Sequence, residues 1–303
     1  MRLCAVSVDL DEIPNYFKIH GLETPEKSQS AVYDVAIARL MSLASAEKIP
    51  LTLFAVGADL VREESARALS DANKAGHEIA NHSLDHRYDL TKLSRAEIET
   101  QISGGADAIE KAVGARPIGF RAPGYVITDD VFSVLRDLEI EYDSSVFPCP
   151  AYNALKAAAI ARIAIHGKTS RSVIDTPMML LAPTHPYHVG NPYWREGNGM
   201  LELPIQVTRG LRLPFIGTTI TMAGPDRARW LTKMCLGAPL VNLELHGIDV
   251  LDVDDGLHEL RPHQPDVRIT RERKLESLAA VIGVLRAAGY SFVTCAEAAR
   301  EFS

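Results

Sequence analysis

Short apolar runs alternate with segments of helical spacing along most of the chain. Residues 3–8 are apolar and partly β-branched, which predicts a buried strand, and residues 31–46 repeat apolar positions at helical intervals. The same criteria predict further strands at 51–56, 78–80, 140–142, 240–245 and 290–293, and further helices at 59–75, 94–113, 129–138 and 271–288. Because strand-then-helix repetition implies parallel strands joined by right-handed crossovers, the pattern predicts an α/β barrel of parallel strands.

One long segment, residues 147–239, interrupts this rhythm. It contains both tryptophans and the aromatic cluster Tyr187, Tyr193 and Trp194, and residues 201–207 form a candidate strand within it. Two of its apolar stretches are interpreted either as the wall of a pocket for an apolar substrate or as core packing beneath a loop: residues 178–182 and 211–216. Since long insertions at a barrel rim usually serve function or cover a site, we predict one domain over residues 1–303 with a rim insertion.

The composition is that of an ordinary globular protein, with 47% apolar and 23% charged residues among 303. A net charge of −7 argues against a nucleic-acid partner, which would require a basic face. The four cysteines are far apart and form no Cys-x-x-Cys pair, so we expect buried thiols in a reducing compartment. No stretch reaches the roughly 18 apolar residues of a membrane span, and the first residues lack a secretory pattern. The expected location is therefore the cytoplasm.

Residues suited to metal chemistry follow two of the predicted strands. Asp9 and Asp11 leave the first strand on the same face, where two close carboxylates repel each other unless a cation lies between them. His82 and His86 are spaced i, i+4, which on a helical turn places both imidazoles on one side. Two neutral nitrogens and one carboxylate form a common catalytic zinc set. The alternatives are a solvated acidic strand end and histidines that are solvated or cap a helix.

Three later strand ends carry groups suited to acid–base chemistry. Arg121 lies among apolar residues, and a buried arginine needs a carboxylate partner such as Asp9. Gly124 lets backbone approach a ligand, so its N–H is a candidate oxyanion donor, with a simple turn as the alternative. His246 is a candidate general acid, with Asp143 as the carboxylate that would keep it protonated. A structural role for a lone strand-end histidine is the alternative. Residues at the carboxyl ends of barrel strands converge on one rim.

Five short motifs, in sequence order, resemble those of the NodB-homology polysaccharide deacetylases (carbohydrate esterase family 4). They are Asp9-Leu10-Asp11, His82-Ser83-Leu84-Asp85-His86, Arg121-Ala122-Pro123-Gly124, Tyr142-Asp143-Ser144-Ser145 and Leu245-His246-Gly247. Residues 288–294 are also similar to the ending of that family. The resemblance covers roughly residues 1–150 and 240–300, and its second and third motifs are the most specific.

The chain departs from the usual family pattern at three places. Many members have adjacent aspartates where this chain has Asp9-Leu10-Asp11, and the spaced form resembles the branch with intracellular, peptidoglycan-deacetylase-like and lipid-linked aminosugar-deformylase-like members. The tryptophan that usually follows the aspartate corresponding to Asp143 is missing. Pro-Gly-Tyr replaces Pro-Tyr-Gly, so oxyanion binding is expected from Gly124 or Tyr125. These departures concern the substrate more than the chemistry.

The resemblance implies a distorted (β/α)7-type barrel with one divalent metal ion. Zinc is the expected ion, with cobalt, nickel and iron as alternatives. The implied metal ligands are Asp11, His82 and His86. Asp9, oriented by Arg121, would take a proton from water, and His246, tuned by Asp143, would protonate the leaving amine.

The predicted function is a metal-dependent hydrolase that removes an N-acyl group, acetyl or formyl, from an amino sugar, a polysaccharide or a lipid-linked glycan. The alternatives are a C–N hydrolase of a small non-sugar amide, as in the allantoinase-like relatives, and a catalytically silent carbohydrate-binding relative. Asp9 and His246 argue against the silent binder, which needs neither a base nor an acid. A lipid-linked substrate would place the protein at the inner face of the membrane, and an oligomer is compatible with the sequence.

Overall fold

The computed structural model describes residues 2–165 and 176–303. Part of the predicted insertion, residues 166–175, lies outside the described residues. The strands are β1 (Leu3–Asp9), β2 (Thr52–Ala55), β3 (Glu78–Asn81), β4 (Gly119–Phe120), β5 (Tyr142–Asp143), β6 (Tyr187–Val189), β7 (Glu196–Glu202), β8 (Leu240–His246) and β9 (Ser291–Val293). The helices are α1 (Ile13–His20), α2 (Ile37–Glu47), α3 (Glu63–Lys74), α4 (Arg95–Val113), α5 (Asp129–Asp137), α6 (Pro150–Ile165), α7 (Gly217–Ala223), α8 (Pro225–Lys233), α9 (Arg271–Ala287) and α10 (Cys295–Phe302).

The strands form one curled sheet in the order β6-β7-β5-β4-β3-β2-β1-β8, and β9 pairs with the start of β1. The seven strands from β7 to β8 are parallel to their neighbours, and β6 is antiparallel to β7. Beyond β7, the Gln206 N–H donates to the Asn242 carbonyl on β8 at 3.0 Å, which links the two ends of the parallel path. The predicted distorted (β/α)7-type barrel is therefore confirmed.

The register of the sheet brings its carboxyl ends together. Asp9, the last residue of β1, pairs with Phe54 on β2 and with His246 on β8. Farther along the sheet, Phe120 on β4 pairs with Asn81 on one side and with Asp143 on the other. All seven residues of β1 are buried because the sheet is covered on both faces, as apolar parallel strands require. The residues after these strands consequently share one rim.

Several boundaries differ from the sequence prediction: β5 is Tyr142–Asp143 where a strand at 140–142 was predicted, and α3 begins at Glu63 where a helix at 59–75 was predicted. The candidate strand at 201–207 overlaps β7 only at its end, since β7 covers Glu196–Glu202. Pro204 follows two residues later, and it has no N–H with which to continue a regular ladder. The predicted helix at 31–46 begins as a π-helical turn over Val32–Ala36 and becomes α2 at Ile37.

The segment 147–239 contributes to both the rim and the barrel. Helix α6 begins within it, whereas β7 pairs with β5, and α7 and α8 pack against α9. Each of its two apolar stretches, residues 178–182 and 211–216, contains both buried and exposed side chains. Met179 and Phe215 are buried in core clusters, whereas Leu181 and Leu211 are exposed. Within the described residues, no helix combines the length and apolarity that crossing a membrane requires.

Candidate metal and acid–base site

The two histidines of the second motif lie on a loop, not on a helical turn, so that part of the prediction is wrong. Ser83 and His86 have left-handed backbone angles, with φ of 71° and 51°. The loop is held by Asn81, whose side chain accepts a hydrogen bond from the Ser83 N–H at 3.0 Å and donates one to the Ile102 carbonyl at 2.8 Å. The Ser83 hydroxyl accepts a further bond from the His86 N–H at 3.2 Å. Local side-chain bonds of this kind compete with helix formation.

This loop nevertheless brings both imidazoles to the first strand. The Asp11 Oδ1 lies 3.2 Å from the His82 Nε2 and 3.0 Å from the His86 Nε2. All three residues are buried, and one ligand atom from each lies within 4.8 Å of the others. The predicted set of Asp11, His82 and His86 thus converges on one centre.

The donor atoms fit a divalent cation. Two metal–ligand bonds of about 2.0–2.1 Å at a tetrahedral angle separate their donor atoms by ~3.3 Å, close to the spacings observed here. Within the described part of the chain, and apart from the contacts among the three ligands themselves, the buried Asp11 Oδ1 and both ring nitrogens of His86 have no hydrogen-bond partner. The His82 Nδ1 lies 2.8 Å from the Arg121 carbonyl, which can only accept, so the Nε2 lone pair faces Asp11. Buried polar atoms that converge without partners are what a metal site requires.

The predicted pairing of Arg121 with Asp9 is present at the centre of the barrel. The Arg121 Nη1 donates to the Asp9 Oδ1 at 2.6 Å, and both side chains are buried. Three further N–H groups donate to the Ser144 carbonyl, the Ser144 hydroxyl and the Ser7 hydroxyl, and the guanidinium lies 4.1 Å from the Phe54 ring centroid. The other carboxylate oxygen of Asp9 lies 3.8 Å from the His82 Nε2, so Asp9 faces the metal set without belonging to it.

His246 lies beside Asp9, but its carboxylate partner is not Asp143. Its Nδ1 is 3.0 Å from the Glu244 Oε1, and its Nε2 is 3.2 Å from the Tyr125 hydroxyl. Asp9, Glu244 and His246 also place one ligand atom each within 4.8 Å of one another. The Arg121 guanidinium bonded to Asp9 already supplies a positive charge there, which disfavours a second cation.

The structure gives Asp143 a different role. Its carboxylate accepts hydrogen bonds from the Ser145 N–H and hydroxyl at 2.9 and 2.8 Å, and it is bonded to Glu202 on the neighbouring strand. Burial, together with the adjacent charge of Asp143, raises the pKa of Glu202 well above its usual 4.5, so the two carboxyls share a proton. The prediction that Asp143 tunes His246 is wrong, because sheet register places Asp143 opposite Glu202.

The turn after Arg121 forms the edge of the site. Gly124 has φ of 66° and Tyr125 has φ of 59°, and the Tyr125 N–H donates to the Ala122 carbonyl at 3.1 Å. Tyr125 therefore presents its hydroxyl, bonded to His246, and its N–H is already used within the turn. A Cβ atom at Gly124 would lie 2.9 Å from the Tyr88 ring, so the tight approach of backbone to that ring also requires glycine.

Aromatic rings surround the site. Tyr88 packs edge-on against His86 with centroids 4.8 Å apart, and Tyr16 lies 6.4 Å from the His246 ring. Tyr152 of α6 packs against Tyr125 at 5.9 Å. The site is therefore a polar centre within an apolar, aromatic wall.

Sequence analysis missed Glu244, Glu202 and Asn81. Glu244 had a recognisable signal, since it lies two residues before His246 on a strand and therefore on the same face. Glu202 and Asn81 had none, because their roles depend on neighbouring strands and on helix α4.

Comparisons with known proteins agree with this geometry. The family model for polysaccharide deacetylase matches residues 28–142. A peptidoglycan-N-acetylglucosamine deacetylase from Bacillus cereus is 31% identical over 126 residues, which cover 42% of this chain and 55% of that protein. The chain thus spans only about half the length of this curated relative.

Solved structures share the fold over most of the chain. A Mycobacterium smegmatis protein assigned to the polysaccharide deacetylases has a TM-score of 0.53 and 19% identity, with 97% of this chain and 93% of that chain covered. A CE4 family pseudoenzyme from Bacillus anthracis has a TM-score of 0.54 and 13% identity, with 98% and 65% covered. The chain thus shares the fold of these structures, and its residues 28–142 are similar to the polysaccharide deacetylases.

Proposed function

We propose that this chain is a metal-dependent N-deacylase that acts on an N-acylated amino sugar. The observation that supports it best is the placement, at one rim, of a three-residue ligand set, a carboxylate held by arginine and an imidazole on the adjoining strand. A metal-assisted amide hydrolysis needs these three components.

The ligand set would be Asp11, His82 and His86, with zinc as the proposed ion. A divalent ion bound there supplies Lewis-acid chemistry, polarising the acyl carbonyl and lowering the pKa of water. The His82 ring is oriented for this role by its 2.8 Å bond to the Arg121 carbonyl. Such outer bonds fix the ring and strengthen the ligand.

Asp9 is the proposed base. Arg121 bonds one of its oxygens at 2.6 Å, which holds the carboxylate in place and leaves the other oxygen directed toward the metal set. That second oxygen accepts the proton of the attacking water. Because Asp9 and Arg121 are both buried, bulk water does not compete for the bond.

His246 is the proposed acid. Burial alone would lower the pKa of His246, but the carboxylates of Glu244, Asp11 and Asp9 together outweigh that effect, with Glu244 contributing most, and the pKa is raised well above the usual 6.5. The ring therefore stays protonated near neutral pH. Its Nε2, 3.2 Å from the Tyr125 hydroxyl, donates a proton to the nitrogen of the departing amine. The developing oxyanion would be stabilised by the Gly124 N–H, since the Tyr125 N–H is already bonded to the Ala122 carbonyl.

The amino-sugar substrate is supported by the curated relative, which is a peptidoglycan-N-acetylglucosamine deacetylase. Tyr88 and Tyr152 add aromatic faces near the site, which suit the apolar faces of a sugar ring. The substrate screen described below varies two features of the substrate. The sugar is free, part of a polymer or attached to a lipid carrier, and the acyl group is acetyl or formyl. A cytoplasmic location and an oligomeric state stay predictions.

A substrate screen tests the proposal directly. Zinc-loaded protein would be incubated with N-acetyl and N-formyl amino sugars, free, oligomeric and lipid-linked, and with allantoin as the small-amide control, while release of amine is measured. We expect turnover of at least one amino sugar, and loss of that turnover after chelation. Turnover of allantoin alone would favour the small-amide alternative, and binding of sugars without turnover would favour a silent relative.

Two isosteric variants, at the end of β1 and two residues beyond it, separate the proposed roles. Asp9→Asn should retain about one zinc per chain and lose about 10²–10⁴-fold in turnover, the range for a general base. Asp11→Asn should lose zinc itself, because it removes a charged ligand. If Asp9→Asn loses the zinc and Asp11→Asn keeps it, the two aspartates have been assigned in the wrong order.

A further inference from the structure

Glu244 is a buried carboxylate with one close partner. It lies on β8 two residues before His246, so both side chains project from the same face of the strand. Its side chain is 0% exposed, and its Oε1 is 3.0 Å from the His246 Nδ1. Apart from that contact, neither carboxylate oxygen has a hydrogen-bond partner among the described residues.

This environment determines which state of the histidine is stable. Burying an ionised carboxylate without a partner costs free energy, so Glu244 is stable only beside an N–H of the imidazole, whether the ring is neutral or protonated. The hydrogen on Nδ1 must point at Glu244, since a carboxylate can only accept. The Nε2 is consequently the nitrogen that faces Tyr125 and the open side of the site.

We propose that Glu244 is the positioning residue of the general acid, holding the His246 ring so that Nε2 carries the proton delivered to the leaving amine. This inference rests on the proposed function. It assigns to Glu244 the role that the sequence had suggested for Asp143. The pair is contained within one strand, so the orientation of the acid does not depend on the loops that follow β5.

Other charged and titratable groups lie near Glu244 and His246, but none of them takes the position of Glu244 beside the imidazole ring. Those that act on His246 or Glu244 are Asp9, Asp11, Asp249, Asp266, Arg121, Tyr125, Tyr152 and Tyr16. Arg121 offsets Asp9, and a cation bound by the ligand set would offset Asp11. The Asp249 carboxylate accepts a hydrogen bond from the backbone N–H of His246, and the Lys274 Nζ lies 4.0 Å from the Asp266 carboxylate. Glu244 is the carboxylate in contact with the ring.

The test is an NMR titration of the His246 imidazole in zinc-loaded, full-length protein labelled at histidine, with the signal assigned by its loss in His246→Gln. Glu244→Gln keeps the size of the side chain and removes its charge. We expect the midpoint of the His246 titration to fall by about 1–3 pH units, the range for loss of an adjacent opposite charge. Asp143→Asn is the matched control, an equally buried carboxyl changed to an amide, and it should leave the midpoint in place.

Equal midpoints in Glu244→Gln and in the unaltered protein would overturn the proposal, and so would an equal shift in Asp143→Asn. If Glu244→Gln does not fold, Glu244→Asp serves instead: its shorter carboxylate should lower the midpoint by a smaller amount, and no change would again count against the role. The titration needs no substrate, so its result is independent of whether an amino sugar is turned over.

A kinetic measurement adds the catalytic consequence. For whichever N-acyl sugar is turned over, the alkaline limb of kcat/KM reports deprotonation of the acid. In Glu244→Gln that limb should move to lower pH by the same amount as the NMR midpoint, and Glu244→Asp should restore part of it. A uniform loss of rate with an unmoved limb would indicate a merely structural role.

Discussion

Removing the Arg121 guanidinium should destabilise the protein strongly, because it leaves Asp9 as an uncompensated buried charge. Arg121 is 0% exposed and donates to the Asp9 carboxylate, to Ser7 and to two oxygens of Ser144. In Arg121→Met the aliphatic volume is largely retained, while all four of these hydrogen bonds are lost.

The magnitude follows from the burial of the pair. Breaking a buried ion pair by removing one partner costs about 3–5 kcal/mol, out of a total stability of about 5–15 kcal/mol for a typical protein. Adding Asp9→Asn to Arg121→Met removes the stranded charge and should recover a substantial part of that cost. We therefore expect a coupling free energy of about 2–3 kcal/mol between the two positions.

The assay is urea unfolding followed by circular dichroism for the two single variants and the double variant, all in chelator so that metal binding does not contribute. Arg121→Lys provides a control that keeps the charge but loses the planar fork of donors, and it should be less destabilised than Arg121→Met. If the two costs simply add in the double variant, or if Arg121→Met is within 1 kcal/mol of the unaltered protein, Arg121 does not stabilise the fold by compensating the buried charge of Asp9.

Three further predictions concern the surroundings of the site. The pKa of Glu202 is raised in the folded protein, so the stability that its protonated form contributes is complete below about pH 4.5 and is lost as pH rises. Glu202→Gln should therefore raise Tm more at pH 8 than at pH 5. An equal increase in Tm at the two pH values would contradict this. Gly105→Ala places a Cβ 2.4 Å from the Asn81 Oδ1, so it should cost about 1–3 kcal/mol and weaken zinc binding in a calorimetric titration. Ser94→Ala, on the same helix, removes the capping box and should cost about 1 kcal/mol with unchanged zinc affinity; weakened binding there would implicate general destabilisation.

Much of the site could be recognised from local sequence. Apolar runs predicted the strands, and two histidines with one of the acids Asp9 and Asp11 suggested one cation, because strand ends in a parallel barrel must share a rim. The choice of Asp11 as the ligand came from the family resemblance. The buried pairing of Arg121 with Asp9 followed from the high cost of an unpaired buried guanidinium. These inferences rely on one element at a time, or on a rule that any such barrel obeys.

The tertiary structure decided which side chains meet across elements. The left-handed histidine loop is bonded by Asn81 of β3, which is itself bonded to Ile102 of α4, and Gly105 of α4 leaves room for it; i, i+4 spacing carries no information about that helix. Asp143 is bonded to Glu202 and not to His246, because register and curvature set the distances between strands that are far apart in the chain. Contacts within a strand repeat with a fixed period, whereas contacts between strands depend on how the whole sheet is packed.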